Sequence, residues 1–324
     1  MPACQPPYGE GEIKLGVSTC LLGEPVRYDG GHKRDRYLTG VLAKFFTFVP
    51  VCPEFECGLG VPREAVRLVG DPARPRLVGN KTGTDHTRRM QTWITRRLAD
   101  LRRESLSGFI FKSKSPSSGM ERIPIYNEKG MPVHRGSGLF AGAFMQRFPD
   151  LPVEEEGRLH DPHLREHFLE RVFAYHRLHQ LLKRPFARRH WVEFHARHKL
   201  QLSVHSPKHH QDLGRLVAGI ATTPVSAFKA RYREIFLAAL AVRTTPRRHA
   251  NTLQHMLGYL RPHLDGEARR DLLETVHRYR DGELPLVVPM SLFAHYLRRF
   301  RVEYLCSQTY LQPHPRELML RNAP

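Results

Sequence analysis

At 324 residues, 40% of them apolar and 26% charged, the chain has the composition of a globular protein large enough for two cores. Its 51 Lys and Arg against 32 Asp and Glu leave a net charge of +19, which directs attention to polyanionic partners. No apolar run is long enough to span a bilayer, and residues 1–12 lack the basic and apolar regions of an export signal, so neither membrane insertion nor secretion is expected.

The cysteines, at 4, 20, 52, 57 and 306, are odd in number and scattered. They suggest no disulfide framework, and a reducing, cytoplasmic compartment is expected. Ile13, Leu15 and Val17 alternate as a strand, which ends at Cys20 and a loop rich in Gly and polar residues. The spacing of Leu38, Val41, Leu42 and Phe45 predicts a helix over 37–46, and the β-prone run that follows delivers Cys52-Pro53-Glu54 into a second loop. Two short extended runs flank the turn signal Gly70-Asp71-Pro72, and Met90, Trp93, Ile94, Leu98 and Leu101 mark the buried face of a helix over 85–103. A third strand, Gly108-Phe109-Ile110-Phe111, opens onto Lys112-Ser113-Lys114-Ser115-Pro116-Ser117-Ser118-Gly119-Met120, and a helix over 137–148 closes the region. This alternation predicts an α/β domain, a mostly parallel sheet flanked by helices, with the three loops on the carboxyl edge where such sheets bind ligands. The residues alone leave alternatives open. A cysteine at a strand end is commonly a small buried hydrophobe, Glu54 a solvated loop residue, Ser115 and Ser117 turn hydroxyls, and Arg27 and Asp29 partners of one another.

Glu154-Glu155-Glu156-Gly157 breaks the sheet pattern, and Asp161-Pro162 reads as an N-cap with proline in the first turn of a helix reaching Lys183. Helical patterns then follow over 186–204, 211–220, 225–242, 246–260, 267–280 and 290–299, with no regular repeat. The expected organisation is an N-terminal domain over 1–157, a linker helix over 158–184 and an all-α domain over 185–324. Residues 1–160 hold 24 Lys and Arg against 18 Asp and Glu, and the remainder 27 against 14 together with 16 of the 20 histidines. The C-terminal half is therefore the simpler place to meet a phosphate backbone. Arg184, Arg188, Arg189, Arg197, Lys199, Lys208 and His209 are candidates for an RNA track, with Trp191 and Tyr232 as stacking groups; the plainer reading is a solvated charged face. His195, His198 and His205 lack the spacing and the nearby carboxylate of a zinc motif and are read as structural or RNA-facing.

Three segments together resemble the thiouracil desulfidase (TudS-type) family: Ser18-Thr19-Cys20-Leu21-Leu22-Gly23 with Val26-Arg27-Tyr28-Asp29-Gly30, Pro50-Val51-Cys52-Pro53-Glu54 with Gly58-Leu59-Gly60-Val61-Pro62-Arg63, and Lys114-Ser115-Pro116-Ser117-Ser118-Gly119-Met120. The resemblance covers about the first half of the chain. It implies a 4Fe-4S cluster held at positions 20, 52 and 118, with Glu54 as general base and Ser115 in the reaction. The family pattern has cysteine where this chain has Ser118, whose hard oxygen replaces a soft thiolate; the chain reads as a substituted form with a labile or absent cluster. Cys57 lies too close to Cys52 to be assigned as the replacement.

In the second half, Phe194-His195-Ala196-Arg197-His198-Lys199-Leu200, His205-Ser206-Pro207-Lys208-His209, Asn251-Thr252-Leu253-Gln254-His255-Met256-Leu257-Gly258-Tyr259 and Leu284-Pro285-Leu286-Val287-Val288-Pro289 resemble the YbgA-type domain. Joined, the two resemblances imply a desulfidase that converts 4-thiouridine in tRNA to uridine with release of sulfide, without redox change. Neither DNA nor a membrane is an expected partner. The alternatives are a desulfidase of free thiouracil or thio-UMP, and a non-catalytic RNA-binding protein whose cluster site has decayed.

Overall fold

The computed structural model describes residues 11–127 and 129–322. The chain divides into two compact units, Gly11–Phe168 and Leu169–Pro324. Cys4 and most of the polar N-terminal segment lie outside the described residues. Among the described residues no helix is long and apolar enough to cross a membrane.

The first unit is built on a four-stranded parallel sheet. Its central strand β1 (Lys14–Ser18) pairs with β2 (Thr47–Val51) on one side and with a strand at Gly108–Phe111 on the other, and Val153–Glu155 closes the far edge. Leu15 and Val17 are fully buried, as the alternation requires. Between these strands the chain makes β3 (Val66–Val69) and β4 (Arg76–Gly79) before the Gly108–Phe111 strand, which is β5. A second sheet, in the order β4-β3-β6-β7, adds β6 (Ile123–Tyr126) and the exposed β7 (Pro132–Gly136), and Val153–Glu155 is β8. Helices α1 (Arg36–Gly40) and α2 (Pro53–Glu56) are single turns. The longer α3 (Thr87–Arg103) buries Met90, Ile94 and Leu101, while α4 (Leu139–Arg147) buries Phe140 and Phe144.

The expected helix over 37–46 is broken into α1 and a 3-10 turn at Leu42–Lys44. The Asp35 carboxylate accepts from the amides of Tyr37 and Leu38 and so caps α1, but Gly40 interrupts the helix within two turns. A second correction concerns Glu154-Glu155-Glu156: the acidic run does not break the sheet. Glu154 and Glu155 lie in β8, and Arg158 binds Glu154 at 2.6 Å.

An aromatic cluster, Phe109, Phe111, Phe140 and Phe144, fixes α4 on β5, with Phe109 and Phe111 stacked at 4.3 Å. Phe109 lies across β1 at Gly16, where any Cβ would collide with its ring. Glycine at 16 is therefore a packing requirement of the neighbouring strand.

The second unit is all-helical, formed by the end of α5 (Pro162–Lys183) and α6 (Arg188–His205), α7 (Pro207–Ala218), α8 (Val225–Ala241), α9 (Pro246–Leu260), α10 (Gly266–Arg280), α11 (Val287–Phe300) and α12 (Glu303–Cys306). Helix α5 starts where Asp161 accepts from the Leu164 amide, and α7, α9 and α10 start at the side-chain caps Ser206, Thr245 and Asp265. Along α6, Trp191, His195, His198, Leu202 and His205 form one buried stripe. The histidines survive burial because each ring finds a partner. His198 Nδ1 meets the Phe194 carbonyl at 2.7 Å, His205 Nδ1 meets the Val242 carbonyl at 2.7 Å, and Tyr232 Oη lies 3.4 Å from His195 Nδ1. His198 and His205 are thus structural and do not face solvent.

Burial, with the nearby charge of His210, lowers His195 to about 4; burial and Arg321 lower His249 to about 3 and His314 to about 4. Burial alone would raise Glu170, but the adjacent His205 overrides it and holds the carboxyl well below the usual range. These histidines ionise near 6.5 once unfolded, so the unfolded chain binds more protons below that pH. Their contribution to stability is complete above pH 6.5 and declines as the pH falls towards 4. Thermal unfolding of the helical unit followed by circular dichroism should therefore show a midpoint several degrees lower at pH 5 than at pH 7.5; a flat profile would refute this account.

Candidate active site

The ends of β1, β2 and β5 deliver three loops to the same edge of the parallel sheet. Together they enclose a cavity of about 420 Å³, lined by Cys20, Cys52, Glu54, Ser115 and Ser118 among others. The residues that the resemblance places at the cluster and in the reaction, Cys20, Cys52, Ser118, Glu54 and Ser115, therefore face one space. Ser18 ties the first loop to the third by accepting the Lys112 amide at 2.9 Å. Cys20 follows in a 3-10 turn that ends at Gly23, whose φ of +102° is the left-handed conformation natural to glycine. In the second loop Cys52 precedes Pro53 in the first turn of α2, and Glu54 is buried.

Glu54 is the centre of the polar network. Its Oε1 accepts from Ser117 Oγ at 2.7 Å and from Ser115 Oγ at 3.2 Å, and its Oε2 lies 3.9 Å from Cys52 Sγ. Ser115 Oγ in turn accepts from the amides of Ser117 and Ser118, at 3.3 and 3.1 Å, which directs its own proton away from those amides. Ser117, the lesser candidate by sequence, thus makes the shorter bond to Glu54. Burial, and then the Glu54 charge, pushes the Cys20 thiol up to about 11 and the Cys52 thiol up to about 12. Both are protonated at neutral pH, because Lys112 and Arg27 near Cys20 and Arg63 near Cys52 offset only part of the cost of ionisation.

Sequence reasoning passed over two further members of the site. Lys112 lines the cavity, and its ammonium is held by the Glu156 carboxylate and by Ser113. Glu156 also accepts from the Ser113 amide at 2.7 Å and hydroxyl at 2.8 Å, anchoring the start of the third loop. Arg63 also lines the cavity and binds the Val26 and Gly60 carbonyls, at 3.1 and 2.8 Å. The only local clue to Glu156 was the acidic run that it closes, and its partner is far away in sequence. Arg27 and Asp29 pair at 3.4 Å, as their default role required. Cys57 is buried with its Sγ 3.5 Å from the Glu54 carbonyl and does not line the cavity.

The third loop is locked from behind. The α4 amides of Leu139, Phe140 and Ala141 donate to the carbonyls of Pro116 and Ser117, at 2.9–3.1 Å, so the loop itself caps the helix. Gly138 allows this approach, since a Cβ there would come within 2.5 Å of the Ser117 backbone.

In the helical unit, Arg184, Arg188, Arg189, Lys199 and Lys208 are exposed. Arg197 is half-buried and paired with Glu193 at 2.6 Å, and His209 Nδ1 lies 2.7 Å from Ser206 Oγ. Trp191 and Tyr232 cannot stack on a nucleic acid from their present positions. They are 1% and 0% exposed, packed edge to face at 5.2 Å within the core, because the stripe that carries Trp191 is the interior face of α6.

Comparison with known proteins adds identity to this geometry. Residues 15–156 match the family model described as 2-thiouracil desulfurase, and residues 199–315 match the model described as a protein of unknown function, DUF1722. A protein of Escherichia coli (strain K12), described as uncharacterized protein YbgA, is 34% identical over 156 residues, which is 48% of this chain and 92% of that protein. The solved structure of a [4Fe-4S]-dependent thiouracil desulfidase, TudS, is similar over 46% of this chain and 95% of its own, with 28% identity and a TM-score of 0.38. The chain belongs to the YbgA family through its helical half, and carries a 2-thiouracil desulfurase domain in its α/β half.

Proposed function

We propose that the protein is an iron–sulfur-dependent desulfidase that converts 4-thiouridine in tRNA to uridine. The observation that carries this reading is the meeting of Cys20, Cys52, Glu54, Ser115 and Ser118 on one cavity within a desulfurase-type domain. Water adds its oxygen to the ring carbon, the carbon–sulfur bond breaks, and sulfur departs as sulfide; no electron changes hands.

The donor set fits a cluster. Cys20 and Cys52 offer two soft thiols on the same wall, and a bound cation would offset the cost of ionising them where burial now opposes it. Ser118, a residue 3% exposed, offers the third donor, an oxygen 3.4 Å from Ser117 Oγ. When bound, the cluster supplies an iron that attracts the thiocarbonyl sulfur, itself a soft donor.

The chain's own groups supply the proton chemistry. Ser115 and Ser117 hold Glu54 Oε1, leaving Oε2 as the atom that takes a proton from the attacking water. The cavity is lined by all three loops and shields this carboxylate from bulk solvent, since Glu54 is 9% exposed. The preference for tRNA over a free base draws on the net charge of +19 and on the exposed Arg184, Arg188, Arg189, Lys199 and Lys208 of the helical half. Arg197 and His209 complete this track only by exchanging their present partners for phosphate. A target base inside folded RNA must leave its stack to enter the cavity.

Anaerobically prepared protein should release sulfide from tRNA containing 4-thiouridine, with uridine appearing in the nucleoside digest by mass spectrometry. Glu54→Gln should lower the rate by about 10²–10⁴-fold at unchanged iron content. Absence of sulfide from both the wild type and Ser118→Cys would refute the assignment. Independently of turnover, Ser118→Cys should raise the iron retained after challenge with a chelator, because a thiolate replaces an oxygen donor; equal retention in the two proteins would remove Ser118 from the ligand set.

A further inference from the structure

The helical unit holds a cavity of its own, about 330 Å³, for which the desulfidase chemistry has no use. One wall is a stripe of α11 on which Val287, Met290, Ala294 and Leu297 recur at intervals of three and four residues, with Ser291 and Arg298 beside them. The other wall is the segment from Leu311 to Arg321. Ala294 puts a single methyl in the middle of the stripe, which leaves room that a larger side chain would take.

The second wall is held in place without a long helix. Arg177 of α5 donates to the Pro313 carbonyl at 2.9 Å, Arg321 donates to the Tyr310 carbonyl at 2.8 Å, and Leu318 and Leu320 are each 5% exposed. The cavity is therefore preformed, and filling it costs little ordering of the chain. Between the two buried leucines, Met319 lines the cavity yet is 68% exposed, on a left-handed backbone with φ of +50° that is rare for a residue with a side chain. A flexible thioether left in water at the rim of an apolar space is a group that a ligand would cover.

The lining defines the chemistry of that ligand. Among the described residues no Phe, Tyr or Trp lines the cavity, so a flat base would find no stacking partner, whereas an aliphatic chain suits walls of Val, Met, Ala and Leu. Three arginines line it, and among the described residues no carboxylate does. Arg321 is engaged with the carbonyl and ring of Tyr310. Arg298 and Arg316 are exposed and, among the described residues, have no carboxylate within ion-pair distance. An arginine fork matches a carboxylate in shape as well as in charge.

From this arrangement we infer that the helical unit binds an aliphatic carboxylate of fatty-acid type, its chain along the α11 stripe and its carboxylate at Arg298 and Arg316. The site lies wholly in the helical half, so it holds or falls independently of the desulfidase reading.

The test measures binding of hexanoate, octanoate and octan-1-ol to the full chain by calorimetry. Octanoate should bind about tenfold more tightly than hexanoate, because two further CH₂ groups leave water. It should also bind at least about tenfold more tightly than the alcohol, which carries the same chain without the charge. Arg298→Ala combined with Arg316→Ala should remove the preference for octanoate over the alcohol. Ala294→Leu, which fills the cavity, should weaken octanoate by at least about tenfold. Unchanged melting curves establish that the variants are folded. Undetectable octanoate binding, equal affinity for hexanoate and octanoate, a preference that survives the double substitution, or octanoate affinity unchanged by Ala294→Leu would each overturn the inference. The chain-length comparison uses the unaltered protein, so it decides the matter even where a variant fails to fold.

Discussion

One buried carboxylate holds the α/β site together. Glu54 arrives on the loop after β2, and the hydroxyls it binds, Ser115 and Ser117, arrive on the loop after β5. These strands are not neighbours, because β1 lies between them. The bridge therefore joins the second loop to the third with charge-assisted hydrogen bonds, while Ser18 ties the first loop to the third. Burial keeps both thiols protonated, and the same negative charge adds to its effect.

The two halves of the chain solve the problem of buried polarity differently. In the α/β unit, polar groups are gathered at one sheet edge and turned into a cavity. In the helical unit, histidines take positions on a helix face that would ordinarily hold hydrocarbon, and carbonyls and a tyrosine hydroxyl satisfy their rings.

Much of this organisation was legible in the sequence, for identifiable reasons. Strands β1, β2 and β5 carry short apolar runs ending in turn-forming residues, and α3 and the helices of the second unit carry clear periodicity. Strands β6 and β7 went unread because Pro124 and Pro132 lie within them and β7 is exposed along its length, so neither composition nor alternation marks them. Strand β8 was obscured by its glutamates, of which Glu154 pairs with Arg158 and Glu155 accepts from the Met120 amide. Cys20, Cys52, Glu54 and Ser115 stood out because they sit in recurring local motifs. Lys112 and Glu156 did not, since their pairing joins residues 44 apart. Trp191 was misread for a related reason: a basic, aromatic stretch looks like a nucleic-acid surface until the helix phase shows which face points inward.

The capping of α4 by the carbonyls of Pro116 and Ser117 carries a mechanical consequence. A loop that serves as the end of a helix cannot swing aside to admit a ligand unless the helix frays with it, and α4 is clamped to the sheet by tilted and edge-on phenylalanine contacts. Whatever enters the cavity must then do so with this wall in place.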